Sequence, residues 1–575
     1  MTSFRVWAPR ARRVDLVLRR SERHPLDGPD ELGWYSVDVE GANPGDDYAY
    51  SLDGGDPRPD PRSPWQPEGV HGPCRLVDHA AFQWTDEHWD GGVPLAEAVV
   101  YELHVDTFCA EATYDGVVRH LDHLVDLGVT AVELLPVVEY PGRWGWGYDG
   151  VALYAPNARD GGPEGLKRLV DACHARGLSV IFDVVYNHLG PSGNYLGEYG
   201  PYFTDRYGTP WGEAVNLDGP DSDAVREFVL DNAVMWLRDY HADGLRLDAV
   251  HAIVDTSALH ILEEMAGRVD QLYAEVGPPK FLIAESDLND PRIVADRAVG
   301  GFGMDAQWSD DFHHALHAVL TGERAGYYSD FGTIAQLAKA LHQAFVYDGD
   351  YSPHRRRRHG RTPTGMPPTR FLGYLQNHDQ VGNRAHGERS SMLMSEGLLK
   401  VAAALVLLGP SVPMLFQGEE WAASTPFLYF TDHDDPELAK AVTEGRRREF
   451  ASFGWDPADV PDPQDPETYE RSKLDWDELT RAPHAGLLDW HRQLIALRRA
   501  TSDLAGGVAE VDHDEDGRRL VMAADSISVA CNFGSEPASV PVRPGRVALS
   551  SNGGVKVEDG RALLPPESVV VLRTP

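Results

Sequence analysis

The chain has little to cross-link itself with: four cysteines in 575 residues, Cys74, Cys109, Cys173 and Cys531. They stand far apart, with no CxxC pair and no Cys/His cluster. That spacing argues against a disulfide framework and a structural zinc, and predicts free buried thiols in a reducing compartment. Positive charge is scarce too. Lys and Arg number 52 against 90 Asp and Glu, a formal net charge of −38. A surface that acidic repels phosphate backbones and anionic headgroups, which disfavours nucleic acid and membrane surfaces as partners and suits a neutral or cationic ligand. No stretch approaches the ~18 apolar residues of a membrane span. The opening MTSFRVWAPRARRVDLVL has no uninterrupted apolar run and no small-residue cleavage site, so no signal peptide is expected and the cytoplasm is the expected location. A Gly-rich phosphate turn after an early strand is also missing, which argues against a doubly wound nucleotide-binding sheet.

What is present is ordinary packed-protein material, 42% hydrophobic and 25% charged, with 14 Trp and 22 Tyr as candidate surfaces for stacking sugars or bases. At ~100–200 residues per domain the length predicts about three domains. Residues 1–95 alternate in short period-2 runs broken by turns (FRVWAP, VDLVLR, WYSVDVEG), the pattern of a small β-sandwich. The Pro-rich stretch 56–73 reads as an ordered crossing loop. Over 96–506, apolar strands alternate with amphipathic helices. Eight strand candidates, at 98–105, 129–135, 178–185, 244–250, 281–286, 303–308, 371–376 and 412–417, predict a (β/α)₈ TIM barrel with insertions. Residues 507–575 return to alternation and predict a C-terminal β-sandwich. The arginine run in SPHRRRRHGRTP (352–363) has two readings: a solvated loop pairing with local carboxylates, or a loop closing over a site.

Barrel enzymes carry their reacting groups at the C-terminal ends of the strands. Here the third strand ends in Asp183, Asn187 and His188, and the fourth carries Arg246 and Asp248 on one face. The fifth ends in Glu285, and the seventh runs into His378 and Asp379. Each alone is more often a cap, an ion pair or a satisfied polar group. Their common placement at one rim makes a carboxylate-based active site the better reading. Paired carboxylates suit glycosyl hydrolysis or transfer: Asp248, held ionised by Arg246, as nucleophile and Glu285 as acid.

The segments DVVYNH (183–188), GLRLDAVH (244–251), IAES (283–286) and NHDQ (377–380) resemble, in order and strand placement, the four short regions of the α-amylase superfamily. The resemblance extends over the whole chain and implies a retaining mechanism. It implies Asp248 as nucleophile, Glu285 as acid/base and Asp379 as the third carboxylate. It also implies that Arg246, His188 and His378 clamp the sugar in the cleaved subsite and that Tyr148 stacks beneath it. Asp149 is open between a sugar contact and a structural loop role, and Asp183 is expected to support the site from behind. Asn187 matches a position that holds calcium in many amylases, but no companion carboxylates accompany it, so no metal and no cofactor are expected.

FRVWAPRARRVDLVL, WSDDFHHALH (308–317) and LFQGEEWAASTPFLYFTDHDDPEL (415–438) are most similar to the branch of the superfamily that releases trehalose from maltooligosyltrehalose. A glycogen-branching transferase remains the alternative, since both would use the same catalytic residues. The trehalose-releasing likeness implies α-glucan oligosaccharides as partners, with functional pairing to a maltooligosyltrehalose synthase. It also implies a closed leaving-group pocket. Phe427, Tyr429 and Phe430 are expected as its walls; the aromatics could equally be packing. Asp310, Asp311, His313 and His314 are expected as hydrogen-bonding groups, and His251 on the leaving-group side. Gln380 and Asn383, in and after NHDQ, are expected as further sugar contacts.

Overall fold

The computed structural model describes residues 1–574 except 453–455, 457, 458, 506 and 508, and leaves out the side chains of 449, 451 and 452. The boundary expected at 506/507 therefore touches a residue outside the described set.

The eight apolar runs become eight parallel strands that close on themselves: β1 (Val100–Leu103), β2 (Ala131–Leu134), β3 (Ser179–Val184), β4 (Gly244–Leu247), β5 (Phe281–Ala284), β6 (Ala306–Trp308), β7 (Phe371–Gly373) and β8 (Val412–Phe416). β8 pairs back onto β1, with Met414 opposite Val100. These runs are apolar on both faces because both are covered. Val100, Ala131, Ile181, Ile283, Ala306, Leu372, Val412 and Met414 fill the interior together with Trp308 and Tyr374. Amphipathic helices such as Gly162–His174 and Ser222–Asp239 pack outside, contributing buried Leu166, Leu169 and Trp236. Most strands stop short of the sequence-based ends, because their last residues leave the ladder to enter the rim.

Ahead of the barrel, Thr2–Trp7 pairs antiparallel with Trp34–Val39, and Val14–Leu18 sits between Glu22–Pro25 and Asp47–Leu52 in a second sheet. The Pro-rich stretch is the crossing loop its composition predicts. Arg58 bonds Glu198 at 3.0 Å, and Arg62 donates to Asp231 at 2.8 Å and to the Tyr154 hydroxyl at 2.9 Å, fastening it to the barrel. After the barrel, a five-stranded sheet and a three-stranded sheet enclose Ala530, Val540, Ala562, Leu564 and Val570 as a β-sandwich. All four cysteines are free and buried. Among the described residues, no helix is long and apolar enough to cross a membrane.

Candidate active site

The barrel ladder continues for one residue past β4 and β5, and this fixes the two central carboxylates. The Asp248 amide donates to the Val184 carbonyl at 3.0 Å, and the Glu285 amide to Leu247 at 3.0 Å. Directly after Asp248 the chain turns through Ala249 at φ 38°, a left-handed conformation costly for a residue with a Cβ. The turn aims the Ala249 amide at Glu285 Oε2, 2.6 Å away. Nucleophile and acid candidates thus share one backbone clamp.

Arg246 sits at the centre, fully buried. It reaches Asp183 at 2.7 Å and Asp248 at 3.0 Å, lies 3.1 Å from Glu285, and rests 4.2 Å over the Trp308 ring. Tyr148 is presented by Gly147, whose φ of +95° and whose 2.4 Å approach of a would-be Cβ to the Pro136 carbonyl admit only glycine. The Tyr148 hydroxyl donates to Asp183 at 2.6 Å and meets His378 Nε2 at 2.8 Å, with the two rings stacked. Asp379 opens to solvent and accepts from Asn383 at 3.2 Å. His188 lies over the exposed Trp211, which stacks flat at 4.5 Å.

The charges around this centre are strongly tuned. Burial, opposed chiefly by the Arg246 guanidinium, pushes the Asp183 carboxyl up to about 7. Burial and the Glu285 charge raise Asp310 to about 7. For both, the protonated form binds more tightly in the folded state. Their contribution to stability is complete below the unfolded carboxyl range of ~4 and is lost as pH rises through about 7. Burial opposes charge on His378, but Glu102, followed by Asp379, outweighs it and lifts the imidazole to about 9.

The structure brings together Tyr148, His188, Arg246, Asp248, Glu285, His378 and Asp379. Asp149 lies beside this group, 3.9 Å from His433. Asp310 joins it through Tyr374, whose hydroxyl donates at 2.7 Å. His251, on the exposed turn after Asp248, faces Asp287: burial would raise that carboxyl, yet His251 and Arg355 hold it low. His314 is packed among Tyr327, Tyr328 and Phe331, and burial, with Arg355 adding, lowers it to about 3, so it is a neutral ring.

Four expectations are corrected. Asp311 is a structural tie, one oxygen accepting from Asn289, Val346 and Tyr347 at 2.8 Å each. His313 has both nitrogens committed, to the Leu375 carbonyl at 2.6 Å and the Tyr328 hydroxyl at 2.8 Å. Gln380 is not among them: its carbonyl closes a capping box with Asn377, but its amide nitrogen lies 3.5 Å from Asp310 and stays turned to the rim. Phe427 and Phe430 are completely buried and wall no pocket: Phe427 stacks on Trp146 at 5.0 Å and meets Phe416 edge-on. Tyr429, half-buried under Arg446 at 4.4 Å, is the one of the three aromatics that reaches the surface. Phe427→Ala should therefore act through packing, costing ~3–5 kcal/mol of stability in denaturant unfolding; a change in product pattern at unchanged stability would contradict this placement.

Residues that sequence reasoning passed over include Glu102, Trp211, Asp287 and Tyr374. The Asp287–Arg355 pair, at 2.9 Å, gives the first arginine of the run the local carboxylate partner that one of its two readings expected. Glu102 carried a legible signal, a lone acid in the apolar VVYELHV; Trp211, brought in by the hairpin 203–215, carried none. The grouping Cys109, Glu111 and His120, able to share a metal ion among the described residues, includes none of these side chains.

Comparison with known proteins agrees with this layout. The alpha amylase catalytic domain matches residues 83–203, carbohydrate-binding module 48 (isoamylase N-terminal domain) residues 1–66, and a domain of unknown function, DUF3459, residues 505–571. A malto-oligosyltrehalose trehalohydrolase from Arthrobacter ramosus is 52% identical over 97% of this chain and 96% of its own length. A 1,4-alpha-glucan branching enzyme from Rubrobacter xylanophilus is only 26% identical, over 92% of this chain and 70% of its own. The crystal structure of an alpha-amylase-type protein from Salmonella typhimurium superposes with a TM-score of 0.92 at 37% identity, covering 100% of this chain and 97% of that one.

Proposed function

The chain belongs to the malto-oligosyltrehalose trehalohydrolases of the α-amylase superfamily, and from that premise we propose how its residues divide the work. The enzyme is a glycoside hydrolase that cleaves the α-1,4 bond next to the terminal trehalose of maltooligosyltrehalose and releases trehalose. Asp248 attacks the anomeric carbon on the glucan side while Glu285 protonates the oxygen departing with trehalose. Water, deprotonated by the same Glu285, then frees the shortened maltooligosaccharide with its configuration retained. The observation that carries this assignment is the single Arg246 guanidinium touching both carboxylates, at 3.0 and 3.1 Å. Such sharing suits the ~5–5.5 Å carboxyl separation of a retaining pair.

Asp379, His378, His188, Asn383 and Tyr148 hold the sugar being transferred. Asp287 with Arg355, His251, Asp310 and Tyr429 supply the polar and aromatic rim on the leaving-group side. Part of the same proposal is a division at 1–95, 96–506 and 507–575, residence in the cytoplasm, and functional pairing with the synthase that makes the trehalose end.

The test is a product assay comparing maltohexaose with the same glucan ended in α,α-trehalose. Free trehalose from the second, with little cleavage of the first, is the expected result. Equal cutting of both, or new α-1,6 branches on a longer glucan, would leave the carboxylates standing and overturn the assignment of the leaving-group rim.

A further inference from the structure

Beneath the sugar clamp lies a buried carboxylate with one evident client. Glu102, on β1, is 1% exposed and gives both side-chain oxygens to His378: one accepts from the ring Nδ1 at 2.5 Å, the other from the main-chain amide at 3.0 Å. On the adjacent strand β2, Glu133 stands in register beside it, one oxygen buried without a partner. Burial and the Glu102 charge push Glu133 well above the usual carboxylate range, so it is a neutral acid and adds no second negative charge. A buried carboxylate is costly unless paired, and His378 is the cation available to pair it.

The hydrogen-bond inventory sets the charge on the ring. Nδ1 faces a carboxylate, which accepts only, so Nδ1 carries a proton. Nε2 faces the Tyr148 hydroxyl, whose own proton goes to Asp183, so that oxygen must accept and Nε2 carries a proton as well. The other charged and titratable groups around the ring are Arg246 from β4, Asp379 on its own short helix, and His104, held neutral by burial after β1.

Resting on the reading that His378 contacts the transferred sugar, we propose that Glu102 is a positioning residue for the hydrolysis. It clamps His378 by ring and backbone and keeps it a two-proton donor, so that Tyr148, which accepts the Nε2 proton, and the sugar beside them face a fixed imidazolium rather than a ring free to flip or lose its proton.

The test uses Glu285→Gln enzyme, which removes the titration of the acid/base, and measures maltooligosyltrehalose affinity by calorimetry from pH 6 to 10. Above the range near 7 where Asp183 and Asp310 titrate, affinity should weaken as His378 loses its proton around pH 9. Adding Glu102→Gln should bring that loss toward neutral pH by about one unit or more, whereas adding Glu133→Gln, a neutral group for a neutral one, should leave its position unchanged. Curves that superpose with and without Glu102→Gln, or an equal loss at every pH, would overturn the proposal. So would a Glu133→Gln curve shifted as far. Because Glu102→Gln could fail to fold, the unsubstituted enzyme supplies a second readout. The ¹⁵N signals of His378, assigned by their loss in His378→Gln, should show both ring nitrogens protonated at pH 7.5, and a neutral tautomer would overturn the idea. Trehalose release by the same unsubstituted preparation tests the underlying activity separately.

Discussion

Asp248→Ala should lower kcat by at least ~10⁴-fold while binding maltooligosyltrehalose nearly as tightly as the parent, because the covalent step loses its nucleophile and the sugar contacts remain. Asp248 is held by its own amide on Val184 and by Arg246, not by contacts that organise the rest of the rim. Its removal leaves Arg246 paired with Asp183 and Glu285, so the cation stays compensated. Asp183 also loses a negative neighbour that helps raise it, so the variant should not be less stable than the parent above neutral pH. Single-turnover kinetics with calorimetric binding on the same preparation separates the two effects. A variant that kept a tenth of the parent's turnover would show that another group attacks the anomeric carbon.

Arg246→Met should be the most damaging substitution to the fold at this site. The guanidinium is completely buried and compensates Asp183, Asp248 and Glu285; methionine fills much of the volume and supplies no charge. Removing one partner from a buried ion cluster costs ~3–5 kcal/mol, since the remaining charges are left unpaired in a medium that cannot solvate them. The sign of the pH dependence follows from that cause. The stranded carboxylates can be relieved by protonation, so the deficit should be largest above neutral pH and shrink as pH falls toward 5. Denaturant unfolding at pH 8 and pH 5 measures this. A loss below ~1 kcal/mol, or one equal at both pH values, would mean that the carboxylates are neutralised by other means. Activity should vanish with the same substitution, as Asp183, Tyr148 and Asp248 lose their common anchor.

The barrel was legible because both faces of a parallel strand are covered, so each strand is written as a short apolar run, and eight such runs at helix-sized intervals admit few architectures. The position of the two candidate catalytic carboxylates was legible for a related reason. Position at a strand's C-terminal end is a one-dimensional property, and Asp248 and Glu285 lie one residue beyond β4 and β5. The helix Asp310–Thr321 shows where such reasoning thins out. At 3.6 residues per turn Asp310 and His314 share a face, while Asp311 and His313 turn away from it. Treating DDFHH as one hydrogen-bonding patch therefore overreached, though its spacing held the warning.

Other outcomes had no such warning. His313 is silenced by a carbonyl 62 residues downstream, and Phe427 is buried by Trp146, 281 residues before it. Whether a polar or aromatic side chain faces substrate depends on which distant backbone reaches it first, and neither composition nor period encodes that. The sequence by itself determined the strand count, the layered fold and the placement of the candidate carboxylates at strand ends, because local periodicity and chain order suffice for these. Tertiary structure alone decided which neighbours neutralise which charges. Closing β8 onto β1 is what sets Glu102 beneath His378, and the side-by-side pairing of β3, β4 and β5 gathers three carboxylates around one guanidinium; electrostatic energy depends on those distances through space rather than on separation along the chain.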